Sequence, residues 1–273
     1  MENFRRSFLA GVMLLAVLVP MVLKAGDWPM WGGRPDRNMV SKEKNIPRTW
    51  DVKTKTNIKW VAELGSQSYG NPVVADGKVF VGTNNQLARN SKFQDDRGVL
   101  MCFRESDGKF LWQMTHKKME SGRVNDWPEQ GICSSPAVSV EDKRVYYISN
   151  RAEVMALDTE GFRDGENDGS RTDETETSEI DGDIVWELDI YTELGVFPHN
   201  MAATSPLIVG DMLFLNTSNG VDASHVNIPS PHSPSFLALN RHTGEILWED
   251  SSPGNNILHG QWASPVYGVV SGQ

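Results

Sequence analysis

Ala238-Leu239-Asn240-Arg241-His242-Thr243-Gly244-Glu245-Ile246-Leu247-Trp248 decides the fold, because the chain uses the same layout more than once. Cys102-Phe103-Arg104-Glu105-Ser106-Asp107-Gly108-Lys109-Phe110-Leu111-Trp112 again places a small residue first, Gly seventh and Trp eleventh. Ala156-Leu157-Asp158 opens the unit a third time, and Gly182-Asp183-Ile184-Val185-Trp186 closes it after a long insertion. Asn57-Ile58-Lys59-Trp60 carries only the closing half. Self-similarity of this kind marks a repeat architecture, in which each unit buries its apolar faces against its neighbours.

A second landmark follows each Trp: Asn71-Pro72-Val73-Val74, Ser135-Pro136-Ala137-Val138, Ser205-Pro206-Leu207-Ile208 and Ser264-Pro265-Val266-Tyr267. Proline is tolerated at the first residue of a strand, where no ladder donor is lost. A turn and a second apolar run come next, as in Asp76-Gly77 before Lys78-Val79-Phe80-Val81 and Gly210-Asp211 before Met212-Leu213-Phe214-Leu215. Each full unit therefore supplies four short antiparallel strands. The Trp residues at 60, 112, 186 and 248 are spaced 52, 74 and 62 apart, which fits propeller blades carrying insertions. A β-sandwich is the rival, but it has no need of a Gly–Trp signature at one place in every unit. The expected fold is an all-β, partial β-propeller of four-stranded blades, roughly 69–115, 134–190 and 203–250, with flanking strands at Trp60 and at 262–273. Trp60, Gly108, Trp112, Trp186, Gly244 and Trp248 are the expected docking residues between sheets, a large flat ring being suited to the gap between twisted sheets.

Composition narrows the class further. With 26 Lys and Arg against 36 Asp and Glu, the 273-residue chain carries a net charge of −10. That balance argues against nucleic-acid binding, which rests on neutralising phosphates with basic side chains. Nine Trp, 24 Gly and 14 Pro favour many short strands and turns over long helices. Arg5 and Arg6 precede an uncharged apolar run from Phe8 to Leu23, followed by Ala25 and Gly26. This is the layout of an export signal over residues 1–25, which places the protein in the periplasm or outside the cell. The alternative is a retained anchor, which would be the chain's one membrane contact, although the run is shorter than the roughly 20 residues that span a bilayer. The two cysteines, Cys102 and Cys133, allow one internal disulfide or two buried thiols.

The Ala238–Trp248 unit resembles the tryptophan-docking motif of pyrroloquinoline-quinone (PQQ)-like repeats, and Asp27-Trp28-Pro29-Met30-Trp31-Gly32-Gly33 resembles the Trp-rich start of exported bacterial proteins of that class. The resemblance covers residues 27–273. It implies a full ring of seven or eight blades, of which this chain would be a C-terminally shortened member. It also implies two functions: a non-catalytic binding or assembly scaffold, or part of a quinoprotein dehydrogenase that uses PQQ and Ca²⁺ to oxidise alcohols or sugars. Arg104 and Asp107 in the first unit, and the insertion in the second, depart from the pattern.

Two regions are candidates for chemistry. The insertion from Asp158 to Asp183 holds eleven acids against Arg163 and Arg171. Within it Asp164, Glu166 and Asp168 alternate before Gly169, the opening of a Ca²⁺ loop, though the twelfth position is Thr175 where a bidentate Glu is expected. A solvated charged loop is the competing reading. The second candidate is the set of residues just before each Pro-led strand, which in a propeller collect at one mouth of the channel. Tyr69, Gln130, His199, Asn200, His259, Gln261 and Trp262 form this polar-aromatic set, suited to a small ligand or a protein partner, or to pinning loops. His199 and His259 lie about one blade apart, close enough in repeat terms for a shared metal, though with no short His spacing to support it. The chain has no Gly-x-Ser-x-Gly elbow, and no carboxylate can be assigned as a catalytic base, so no catalytic residue is expected.

Overall fold

A computed structural model of the chain describes residues 26–270, so the expected export segment lies outside the described residues. The repeat unit turns into strands where its apolar runs predict them. The first sheet comprises β1 (Val73–Ala75), β2 (Lys78–Asn84), β3 (Arg97–Arg104) and β4 (Phe110–Lys117). The second comprises β5 (Ala137–Ser139), β6 (Arg144–Ile148), β7 (Glu153–Asp158) and β8 (Ile184–Asp189). The third comprises β9 (Leu207–Val209), β10 (Met212–Asn216), β11 (Phe236–Asn240) and β12 (Ile246–Asp250). In each sheet the strands pair antiparallel in chain order. The innermost strands β1, β5 and β9 lie side by side, so the sheets fan from a common axis as blades do.

Register explains the motif. Its first, small residue sits directly across the ladder from its Trp: Cys102 opposite Trp112, Ala156 opposite Trp186, Ala238 opposite Trp248. A larger side chain there would compete with the indole for the same side of the sheet. A register shift follows that residue in all three blades, and such an irregularity sharpens local twist and re-aims side chains. The ring then leaves its own blade. Trp60 Nε1 donates to Glu105 O at 2.8 Å, Trp112 Nε1 to Thr159 O at 3.0 Å and Trp186 Nε1 to Arg241 O at 3.0 Å. Each acceptor is the fourth residue of the next unit. The seventh-position glycine provides the seat: a Cβ on Gly108 would lie 2.6 Å from the Trp60 ring, and one on Gly244 2.7 Å from the Trp186 ring. In the second blade Gly161 and Gly182, at the two ends of the insertion, take that place against Trp112.

The interfaces so made are the core. Phe80, Leu100, Cys102 and Trp112 of the first blade pack on Val138, Val145, Tyr147, Met155 and Leu157 of the second. Tyr146, Val154, Ala156 and Trp186 pack on Leu213, Leu215, Leu237 and Leu239 of the third. Alternate residues of β7 thus serve opposite interfaces, as the period of two requires of a sheet buried on both faces.

Two expectations change. Trp248 is 44% exposed, against 0% for Trp112 and 5% for Trp186, so it does not dock between sheets. The glycine and carbonyl that receive the other indoles belong to a following blade, and no strand follows β12 among the described residues. The flanking strands expected at Trp60 and at 262–273 form no ladder among the described residues. The Trp-rich N-terminal stretch, for its part, becomes a strap across the channel. Trp28 exchanges both backbone hydrogen bonds with Val74, Pro29 O accepts from Val138 N, and Arg37 Nη2 donates to the carbonyls of Ser205 and Pro206. The strap thereby covers inner-strand edges that would otherwise face the channel bare.

Candidate functional site

Blade topology fixes which loops share an end. The chain enters β1, β5 and β9 at the same end at which the β2–β3, β6–β7 and β10–β11 loops lie. The β1–β2 and β3–β4 turns and their equivalents lie at the other. Hydrogen bonds tie the second set together in every blade: Glu105 N to Gly77 O, Thr159 N to Lys143 O, Arg241 N to Asp211 O. The mouth end is stitched across blades by the pre-proline serines. Asn71 N donates to Ser135 Oγ, Ser135 N to Ser205 Oγ and Ser205 N to Ser264 Oγ. Ser264 therefore occupies the next step of this ring without being in a strand.

Over that ring lies a cleft of about 490 Å³ lined by Tyr69, Trp127, Gln130, Cys133, Asn200, Met201, Ala203 and Trp262. Its walls come from the approaches to all three inner strands and from the segment after β12. Four of the expected mouth residues, Tyr69, Gln130, Asn200 and Trp262, line it together. Gln130 and Tyr69 share one acceptor, donating from Nε2 at 2.9 Å and from the hydroxyl at 3.0 Å to Gln67 Oε1. This fixes the amide and leaves the Tyr69 ring, 61% exposed, standing at the rim. Asn200 holds a left-handed φ of 63° while its backbone N–H donates to Val124 O and its carbonyl accepts from Trp127 N. Those two bonds bring Trp127 into the wall. Sequence reasoning missed Trp127, which sits in neither landmark; its indole is capped by Arg123, with 3.6 Å from the guanidinium carbon to the ring centroid.

Cys133 contributes an inert thiol: burial pushes its pKa up to about 12. Cys102 is buried in the first interface, and both cysteines are free. Gln261 turns away and donates from Nε2 to Ser235 Oγ, pinning a loop.

His199 and His259 meet behind the Trp262 wall, ring centroids 4.5 Å apart, and a third histidine, His225, joins them. His225 carries no repeat signal, because the β10–β11 loop that holds it has no counterpart of similar sequence. The imidazole of His199 is buried; burial, then the neighbouring imidazoles, lower its pKa, so the neutral ring is favoured.

Asp164, Glu166 and Asp168 lie on the β7–β8 loop, at the end of the blade away from the cleft. Asp164 Oδ1 accepts from Glu166 N, and Asp168 Oδ2 lies 3.6 Å from the Arg144 guanidinium, which also binds Asp158 at 2.6 Å. Of the three carboxylates, Asp168 is the one that pairs with a basic side chain among the described residues. Among the described residues, the trio of His, Cys, Asp or Glu whose ligating atoms converge is His199, His225 and His259, not these carboxylates.

Residues 96–272 match the PQQ-repeat family model described as outer membrane protein assembly factor BamB. The chain belongs to this PQQ-repeat family. A search of curated proteins finds no match. Among solved structures, the quinohemoprotein alcohol dehydrogenase of Comamonas testosteroni is similar at 15% identity and a TM-score of 0.50, with 81% of this chain and 26% of that one covered. The alcohol dehydrogenase ADHIIG of Pseudomonas putida aligns at 14% identity and a TM-score of 0.48 over 82% of this chain and 26% of that one. BamB from Moraxella catarrhalis aligns at 18% identity and a TM-score of 0.37 over 72% and 56%. The chain spans about a quarter of the length of the two dehydrogenases it resembles. At 15% identity the likeness to the Comamonas testosteroni enzyme speaks to the propeller fold alone, in agreement with the family match. No helix among the described residues is long and apolar enough to cross a membrane.

Proposed function

We propose that this PQQ-repeat chain is an exported, non-catalytic binding module whose mouth cleft receives an apolar or aromatic side chain of a protein partner. One observation carries the reading: the cleft is walled by Tyr69, Trp127, Met201, Ala203 and Trp262, with the amides of Gln130 and Asn200 and no charged side chain. Flat apolar walls with a few fixed polar groups suit a hydrophobic anchor presented by an extended segment.

The residues fit a quinone cofactor poorly. PQQ carries three carboxylates, which call for cations or several free donors, and the cleft offers no cation. Its Gln130 amide is already committed to Gln67. Dehydrogenation also needs a carboxylate base beside the cofactor, and the carboxylates expected to hold calcium lie at the opposite end of their blade. A dehydrogenase role for a longer protein containing this segment is the second reading, favoured by the fold it shares with the alcohol dehydrogenase of Comamonas testosteroni.

A photoreactive phenylalanine analogue at Tyr69, in the full chain expressed in its source cell, is expected to crosslink to an exported polypeptide. Crosslinking is expected to disappear when Trp127 is also changed to Ala. Dye reduction with alcohols or sugars that requires added PQQ and Ca²⁺ would overturn the proposal.

A further inference from the structure

The three histidines behind the cleft wall come from three separate mouth-end loops of the third blade. His199 precedes β9, His225 lies between β10 and β11, and His259 follows β12. One ligating nitrogen from each can be chosen so that all three lie within 4.8 Å of one another. The ring centroids are 4.7 Å apart for His199 and His225, 4.5 Å for His199 and His259, and 5.1 Å for His225 and His259.

A single dipeptide organises the trio. Val221 O accepts from His199 Nδ1 at 2.7 Å, Val221 N donates to His259 O at 3.2 Å, and Asp222 O accepts from His225 N at 3.0 Å. Gly220 is part of the device, because a Cβ there would lie 2.6 Å from both the His199 Cβ and the His259 carbonyl oxygen. The Val221 carbonyl can only accept, so the His199 proton resides on Nδ1 and Nε2 presents a bare lone pair. That Nε2 is buried, on a residue 1% exposed, and has no hydrogen-bond partner. A buried acceptor left unpaired carries a desolvation cost that some ligand ordinarily relieves. An imidazole fixed by a backbone carbonyl on one nitrogen and open on the other is the arrangement found in metal-ligating histidines.

We propose that His199, His225 and His259 bind one late first-row divalent cation, with Zn²⁺ as the prototype, and leave a fourth position to water or to an incoming ligand atom. Three imidazoles with one open position suit Zn²⁺ and its neighbours, and are unsuited to Ca²⁺ or Mg²⁺, which take oxygen ligands. Nitrogens at about 2.0–2.1 Å from a tetrahedral ion stand roughly 3.4 Å apart. The rings of His225 and His259 are exposed, so they are free to turn toward the fixed His199 ring. The Asp222 carboxylate is not needed as a ligand: it accepts from Ser224 and Asn227 and holds the loop that carries His225. Trp262 links the site to the cleft, since Nε1 donates to His199 O at 3.2 Å and its ring centroid lies 5.0 Å from that of His259. The assignment does not depend on what the cleft binds.

The full chain, stripped of metal with a chelator, is titrated with Zn²⁺ at neutral pH in competition with a chromophoric chelator. Uptake of one equivalent is expected, and Co²⁺ in its place is expected to give the visible absorption of a nitrogen-ligated ion. His225→Ala and His259→Ala each remove an exposed ring and are expected to weaken uptake at least about 10-fold, and the double variant to abolish it. Far-UV circular dichroism is the check that these variants fold. Failure of the folded chain to take up Zn²⁺, uptake that survives the double variant, or displacement of Zn²⁺ by equimolar Ca²⁺ would overturn the assignment.

Discussion

Trp186 and Trp248 occupy the same place in successive copies of one motif, yet one is an interior group and the other is 44% exposed. Within their own sheets they are alike: each lies across the ladder from an alanine, beside a register shift. The difference lies in what comes next around the axis. Trp186 meets Gly244 and the Arg241 carbonyl of the third blade, whereas Trp248 touches Phe214 of its own sheet at a centroid distance of 6.1 Å. Local sequence aims an indole outward from its sheet, and only a neighbouring blade makes that indole part of the core.

The largest effect should come from removing a docked ring. Trp186→Ala is expected to cost about 3–5 kcal/mol in denaturant unfolding, the range for deleting a fully buried aromatic side chain. A loss below about 1 kcal/mol would mean that the interface between the second and third blades is not held by this ring. A smaller effect is expected at its seat. Gly244 and Gly210 both have left-handed φ, 75° and 56°, but a Cβ on Gly244 would press on Trp186 while one on Gly210 meets nothing within 4 Å. Alanine at either position pays the backbone cost, and at Gly244 it pays a packing cost as well. Thermal melts should therefore rank Gly244→Ala below Gly210→Ala by about 1 kcal/mol or more. The smallest effect belongs to Trp248→Ala, expected within about 0.5–1 kcal/mol of the parent. A loss comparable to that of Trp186→Ala would erase the distinction between the two sites.

Three of the seven expected mouth residues, Tyr69, Gln130 and Asn200, reach the cleft because they precede the prolines that open inner strands, and strand direction alone brings such positions to one end; Trp262 reaches it from a segment that forms no strand. Gln261 was misplaced by the same rule: position relative to a proline does not say which way a side chain turns, and Ser235 draws this one into a loop contact. Trp127 and His225 were not legible, because each sits in a loop unique to its blade and reaches the site through backbone hydrogen bonds from distant residues. The acidic stretch containing Asp164, Glu166 and Asp168 has the order of a calcium loop. The folded chain sets Arg144 of β6 against Asp168 of that stretch and against Asp158, a pairing that the order of acids does not announce.

The amino-acid order by itself determined the strands, their pairing and the orientation of each indole, because pleat period, turn residues and the small residue facing each Trp all act within about one unit's length. Tertiary structure decided which glycine receives which indole, that the Trp-rich N-terminal stretch straps the channel, and that three scattered histidines converge. Those outcomes depend on how blades stand around the axis and on which loops then share an end. No periodicity within a unit encodes that arrangement.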